Sequence, residues 1–285
     1  MELDLKKISL REINNTLQSL DISQEDQNFT ITNPEGCHAL CVGIKQEINI
    51  NIEGHVGYYC AGMNKEANIK INGSAGTGVA ENMMSGIVSI SGNVSQSAGA
   101  SAHGGLLYVN GDASSRCGIS LKGADIVVGG SVGHMSAFMA QSGSLLVCGD
   151  AGDALGDSLY EADIYVRGKV KSLGVDCIEK EIRKKDTDKI MDLLSKCKIE
   201  DINPDEFKRF GSERKLYNFD IDNTCSYYNC DTLTTKRDYY TEQLHDYHPF
   251  NDTNYTISIL VQENKSTFIL SYRSSCLVET RESLP

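Results

Sequence analysis

Seven glycines, Gly54, Gly73, Gly92, Gly111, Gly130, Gly149 and Gly168, recur at a strict interval of nineteen residues. A fixed period held without slippage for over a hundred residues is the mark of a coiled repeat architecture, in which each unit buries its face only against its neighbours. Other positions keep step with the glycines. Two residues before them stand Ile71, Ile90, Val109, Val128, Val147 and Val166, and four before stand Ile69, Val88, Leu107, Ile126, Leu145 and Ile164. Each pair brackets a different residue, so each coil carries a short strand with one buried face. Two residues after the glycines, valine and alanine alternate from Val56 to Val170, a column that lets adjacent layers interdigitate. Small residues recur seven after, at Ala61, Ala80, Gly99, Gly118, Ala137 and Gly156, and again thirteen after.

Nineteen residues rich in glycine and β-branched side chains cannot supply two helices per repeat. The period therefore predicts an all-β solenoid: a parallel β-helix of about seven coils, strands about 4.8 Å apart, with glycine at the corners. No proline occurs between Pro34 and Pro204, as a sheet paired on both sides requires. Four parts are expected. Residues 1–28 form a helical cap, with the capping box Ser9-Leu-Arg-Glu12 opening a helix that carries Leu10, Ile13, Leu17 and Leu20. Residues 29–175 form the β-helix. Residues 176–223 form a second cap and arm: Ile178, Ile182, Ile190, Leu193 and Leu194 mark an amphipathic helix, Asn203-Pro204 opens a short helix with Phe207 and Phe210, and Lys215–Phe219 extends beyond. Residues 224–285 form a tyrosine-rich tail with a possible hairpin, Tyr255–Val261 against Thr267–Tyr272. Both flanking helices are expected to cover the open ends of the sheet.

The net charge of -12 argues against nucleic acid or an acidic membrane as partner. No apolar signal run opens the chain and no apolar stretch is long enough to span a bilayer, which points to the cytoplasm. Ten cysteines in so long a chain without a spaced framework read as reduced, mostly buried thiols. Cys37, His38, Cys41, His55 and Cys60 cluster, but their spacing fits no usual zinc site. Asp150, Asp153 and Asp157 resemble the paired carboxylates of glycan-cleaving enzymes less than they resemble aspartates capping turn amides. No catalytic, cofactor or metal residue is assigned.

The corners that follow the small residues differ from coil to coil and stack into a ridge. Met63, Met83, Met84, His103, Phe138, Met139 and Tyr160 on that ridge are the candidate partner interface, since adaptable apolar side chains suit docking; the alternative is that several of them fill the coil. A second greasy column, Lys70, Ser89, Tyr108, Val127, Leu146 and Tyr165, is expected to face outward.

Four long segments, Gly54-His-Val-Gly-Tyr-Tyr-Cys-Ala-Gly-Met-Asn-Lys65, Gly76-Thr-Gly-Val-Ala-Glu-Asn-Met-Met-Ser-Gly86, Ser95-Gln-Ser-Ala-Gly-Ala-Ser-Ala-His-Gly-Gly105 and Gly149-Asp-Ala-Gly-Asp-Ala-Leu-Gly-Asp-Ser-Leu-Tyr-Glu161, resemble the GXGXG domain of glutamate synthase large subunits. The likeness is strongest to its stand-alone form, the B subunit of N-methylglutamate synthase (methylamine-glutamate N-methyltransferase), and runs from near residue 2 to about Asn223 through Gly133–Phe138 and Lys215–Phe219. It implies a right-handed β-helix acting as a non-catalytic scaffold in an enzyme complex of methylamine metabolism. The implied partners are an FMN-binding synthase-like subunit, which also carries an iron-sulfur cluster, and a glutamine-amidotransferase-like subunit. The same fold family includes a formylmethanofuran dehydrogenase subunit. A stand-alone polysaccharide-active enzyme and a plain self-assembling solenoid are the readings from other classes.

Overall fold

The structure, a computed structural model, describes residues 1–21 and 27–215, together with three later strands. Two compact units divide the chain, Met1–Phe219 and Asp220–Pro285.

The first unit is a parallel β-solenoid. Nine strands run in one direction in chain order: β1 Glu2–Asp4, β2 Asn28–Thr32, β3 Asn49–Glu53, β4 Asn68–Asn72, β5 Ile87–Ile90, β6 Leu106–Val109, β7 Lys122–Val128, β8 Ser142–Val147 and β9 Asp163–Val166. From β3 onward the pairing advances by the nineteen-residue repeat, as in Ile69 beside Val88 and Leu107 beside Ile126. The expected inward pair is buried in every coil, and it stacks into one core column. Each fully buried aliphatic there contributes about 1.5–3 kcal/mol relative to exposure. The valine-alanine column forms a second line of parallel bridges, Val56–Ala75–Val94–Ala113–Val132–Ala151–Val170.

The phased glycines are needed for close approach, not for turning. Of the seven, only Gly54 has a left-handed φ. A Cβ on Gly92, Gly130 or Gly149 would stand 2.8, 2.9 or 2.7 Å from the carbonyl oxygen of the glycine one coil earlier. Those carbonyls already accept the next glycine's N–H at 2.9, 2.9 and 2.8 Å, so the backbones stack in contact. Beside them runs a side-chain ladder: the acceptors of His55, Ser74, Asn93, Asp112, Ser131 and Asp150 each take the backbone N–H nineteen residues on.

The left-handed backbone lies elsewhere, at the fifth, seventh and ninth residues of each corner. Tyr59, Ala61 and Met63 have φ of 60, 57 and 55°, and Met135, Ala137 and Met139 have 54, 58 and 52°. Each such non-glycine residue costs about 1 kcal/mol or more. Alternation of left- and right-handed residues turns the peptide groups along the solenoid axis, which offsets that cost with bonds between coils. Met135 and Met139 donate forward to Asp153 and Asp157 at 2.8 and 2.9 Å, while Ala137 donates backward to Cys117 at 2.7 Å. The recurrent small residue at the seventh position is thus buried and left-handed at once.

Helix α1, Leu10–Gln18, opens on the expected capping box and buries Ile13 and Leu17. It covers the first coil and replaces the missing previous one. Asn14 Oδ1 accepts the Cys41 N–H at 2.9 Å, Asn14 Nδ2 donates to Ala39 O at 2.8 Å, and Gln18 Nε2 donates to Val42 O at 2.7 Å. The other end of the sheet is finished by two antiparallel strands, β10 Cys177–Lys180 and β11 Lys208–Ser212, in the order β9-β11-β10.

Several sequence expectations for 176–223 change. Ile178 lies in β10 and Ile182 in the connection after it; helix α2 is Lys184–Lys196. Asn203-Pro204 opens only a 3-10 turn, Pro204–Glu206, and Phe210 belongs to β11. The arm at 216–219 lies outside the described residues. In the second unit, β12 Ile257–Glu263 and β13 Ser266–Arg273 form the expected hairpin with Leu260 opposite Ile269, and β14 Cys276–Thr280 extends it.

Gly149→Ala is expected to destabilise the full chain by about 1–3 kcal/mol through overpacking, read as a shift in the urea unfolding midpoint. Asn14→Ala, which leaves two backbone groups of the first coil unpaired, is expected to cost about 1–3 kcal/mol in the same assay.

Candidate partner interface

The corner residues separate into columns by their offset from the closing glycine. The tenth position, Asn64, Met83, Ala102, Leu121, Ala140 and Leu159, points inward and is buried throughout. Met83 is therefore a core residue and leaves the candidate interface: the left-handed residue before it turns its side chain into the coil. The ninth and eleventh positions face outward. Met63 and Met84, 46% and 47% exposed, stand on neighbouring coils, and the half-buried Glu81 lies beside them, its carbonyl accepting the Met63 N–H at 2.8 Å. Burial pushes the Glu81 carboxyl above the usual carboxylate range. Glu81 differs from its column partners Gly62, Ala100 and Ile119 only in chemistry, which the repeat pattern alone does not flag.

His103, one coil after Met84 in the same column, is exposed, and partial desolvation together with Lys122 holds its imidazole below the usual value. Phe138, Met139 and Tyr160 are half-buried and lie coils away. Between the two apolar groups run Ser101, His103, Ser120 and Lys122. In the ninth and eleventh columns the ridge is thus two apolar patches separated by a polar stretch, and the Met63–Met84 patch is the more exposed.

The second column is largely covered by the chain itself. Val127, Leu146 and Tyr165 are 0%, 0% and 2% exposed because α2 lies across β6–β9 and packs Ile190, Leu193 and Leu194 against them. This helix thereby closes a flank of the solenoid. Lys189 Nζ reaches Asp125 at 2.8 Å, and at the other end Asp186 is buried beside Tyr165. Burial alone would raise the Asp186 pKa. The bonds from the Arg183 side chain at 2.7 and 3.0 Å, its backbone N–H at 2.9 Å, the Tyr165 hydroxyl at 3.1 Å and the nearby Arg209 guanidinium outweigh it and bring the value to about 2. Arg209 also donates twice to Asp163, at 2.9 and 2.7 Å.

The remaining candidates have structural partners. Asp150 and Asp157 accept backbone N–H groups of Lys169 and Val175, and Asp153 pairs with Lys171 at 2.7 Å. His38 Nδ1 accepts the Tyr58 N–H and its ring stacks on Tyr58 at 4.4 Å. Burial pushes the Cys60 thiol up to about 12, and Cys41 is raised likewise. Among the described residues no group of His, Cys, Asp or Glu is arranged to hold a metal ion, and no helix is long and apolar enough to cross a membrane.

Fold and surface together define a parallel β-solenoid that stiffens a display of corner side chains. The chain is 57% identical over 225 residues to Protein GlxC of Rhizobium meliloti (strain 1021), a match that takes in 79% of this chain and 99% of that protein. The chain belongs to the GlxC family. No known family profile matches it.

Asp186 links α2 to acid stability. Its pKa is depressed on folding, so its contribution is complete above the unfolded value near 4 and is lost as pH falls towards 2. That contribution is on the order of 2 kcal/mol. Asp186→Asn is expected to lower stability at neutral pH by about 3 kcal/mol and to flatten the stability profile between about pH 4 and pH 2, measured by urea unfolding across pH.

Proposed function

We propose that this chain is a non-catalytic scaffold subunit of a glutamate-synthase-like FMN enzyme complex, and specifically of one that forms N-methylglutamate and ammonia from methylamine and glutamate. Its partners would be a synthase-like subunit carrying the FMN and an iron-sulfur cluster, and a glutamine-amidotransferase-like subunit, working in the cytoplasm. The resemblance of the four corner segments to the GXGXG domain supports the family of the complex. The observation that carries the scaffold role is the pair of exposed methionines, Met63 and Met84, on adjacent coils of a frame whose every layer is hydrogen-bonded to the next. An unbranched thioether fits itself to a partner surface at little cost, whereas the rigid frame fixes where it is presented.

A tagged chain recovered from its native host is expected to bring down synthase-like and amidotransferase-like chains and a flavin absorbance. Met63→Asp with Met84→Asp is expected to weaken that recovery at least tenfold, since burying two carboxylates in an interface costs several kcal/mol, while leaving the unfolding midpoint of the isolated chain unchanged. A colourless chain recovered alone would overturn the reading.

A further inference from the structure

The outer face of the sheet is covered only in part. Among the described residues, helix α2 runs from β9 back toward β6 and stops short of the outer face of β2–β5. Where it stops there is a hollow of about 420 Å³ lined by Lys70, Lys196 and Lys198, by Ser89, Ser91 and Tyr108, and by the apolar Ile87 and Leu106. It continues into a second hollow of about 340 Å³ through the shared Lys70, Ile87 and Ser89.

The charge at this groove runs against that of the chain. The chain carries -12, yet three lysines and no carboxylate line the hollow at the helix end. Lys196 is held by Asp192 at 2.7 Å. Lys70 and Lys198 are exposed and, among the described residues, form no ion pair. Lys198 also sits just past the helix with a φ of 57°, a place where glycine is usual. A lysine held there puts a cation at the mouth of the groove at some conformational cost.

Away from the lysines, amide rows border the groove. Asn68 donates to Asn49 and Asn49 to Asn28, each at 3.2 Å within the second hollow, while Asn72, outside its lining, donates to Asn51 and to the Glu53 carboxylate, each at 3.0 Å. From β2 to β6 the groove spans four strand spacings, about 19 Å, the length of roughly six extended residues. Both hollows are open along this length, a shape suited to a strip of chain.

We infer that this groove receives an acidic, extended segment of a partner protein, its carboxylates at Lys70 and Lys198, its apolar side chains against Ile87 and Leu106, and its backbone along the amide rows. This rests on the reading of the chain as an assembly subunit, and it names a second contact distinct from the corner ridge.

The test titrates the full chain into a fluorescein-labelled hexapeptide of alternating Glu and Val, followed by fluorescence anisotropy. Saturable binding is expected, weakening as salt is raised from about 50 mM to about 300 mM. Lys70→Glu with Lys198→Glu should weaken binding about tenfold or more, whereas Lys185→Glu at the far end of α2 should stay within about twofold. Absence of saturable binding, an equal loss in Lys185→Glu, or full displacement by inorganic phosphate, which would mark a small-anion site, overturns the inference. The native-host pull-down separates the two readings. A yellow complex with no peptide binding removes the groove and leaves the scaffold, whereas peptide binding by a chain recovered alone and colourless keeps the groove and removes the scaffold.

Discussion

The structure depends on backbone stacking in register at the closing glycines. From Gly92 to Gly168 each of these glycines donates its N–H to the carbonyl of the glycine one coil earlier, and the two backbone segments approach so closely that a single Cβ would meet that carbonyl. Register elsewhere follows from this contact. Once the glycines are stacked, the aliphatic pair before them must fall on the core column, the valine-alanine pair after them must bridge, and the acceptor next to each glycine must face the N–H of the following layer. A slip of one residue would turn every strand side chain to the opposite face.

The corners solve a different problem. Each coil must bring the chain round to start the next strand parallel to the last, and it does so with alternating left- and right-handed residues whose peptide groups point along the axis and bond to the coils on either side. This leaves unpaired groups at the first coil, and α1 supplies Asn14 and Gln18, four residues apart on one face, to satisfy them. The same corner geometry decides what is displayed. Adjacent Met83 and Met84 have opposite fates, one wholly buried and one half exposed, because the backbone between them alternates in hand.

On the strand side, burial and display are decided by a helix. The outward residues change from amides and lysine in β2–β4 to aliphatics and tyrosine in β6–β9, and α2 covers only the second group. Its first end is fixed by charge as well as by packing, with Asp186 gathering Arg183, Tyr165 and Arg209, whereas at its other end Lys70, Lys196 and Lys198 line the hollow. A surface that looks too apolar for a free chain is therefore mostly interior, and what the described residues leave bare mixes amides and lysines with Ile87.

By itself the sequence determined the solenoid, its nineteen-residue coil, its inward pair and its first helix, because a period of glycine and β-branched residues admits one packing and a capping box is a local device. It also showed that Asp150 and Asp157 sit where turn amides need acceptors, whereas Asp153 pairs with Lys171 instead. Only the tertiary structure decided why the glycines are there, since close approach between layers is a contact between residues nineteen apart. It likewise decided that Met83 faces in and that α2 lies along the flank. Those outcomes depend on backbone hand at single residues and on which long-range apolar face a helix meets, and neither is carried by the repeat.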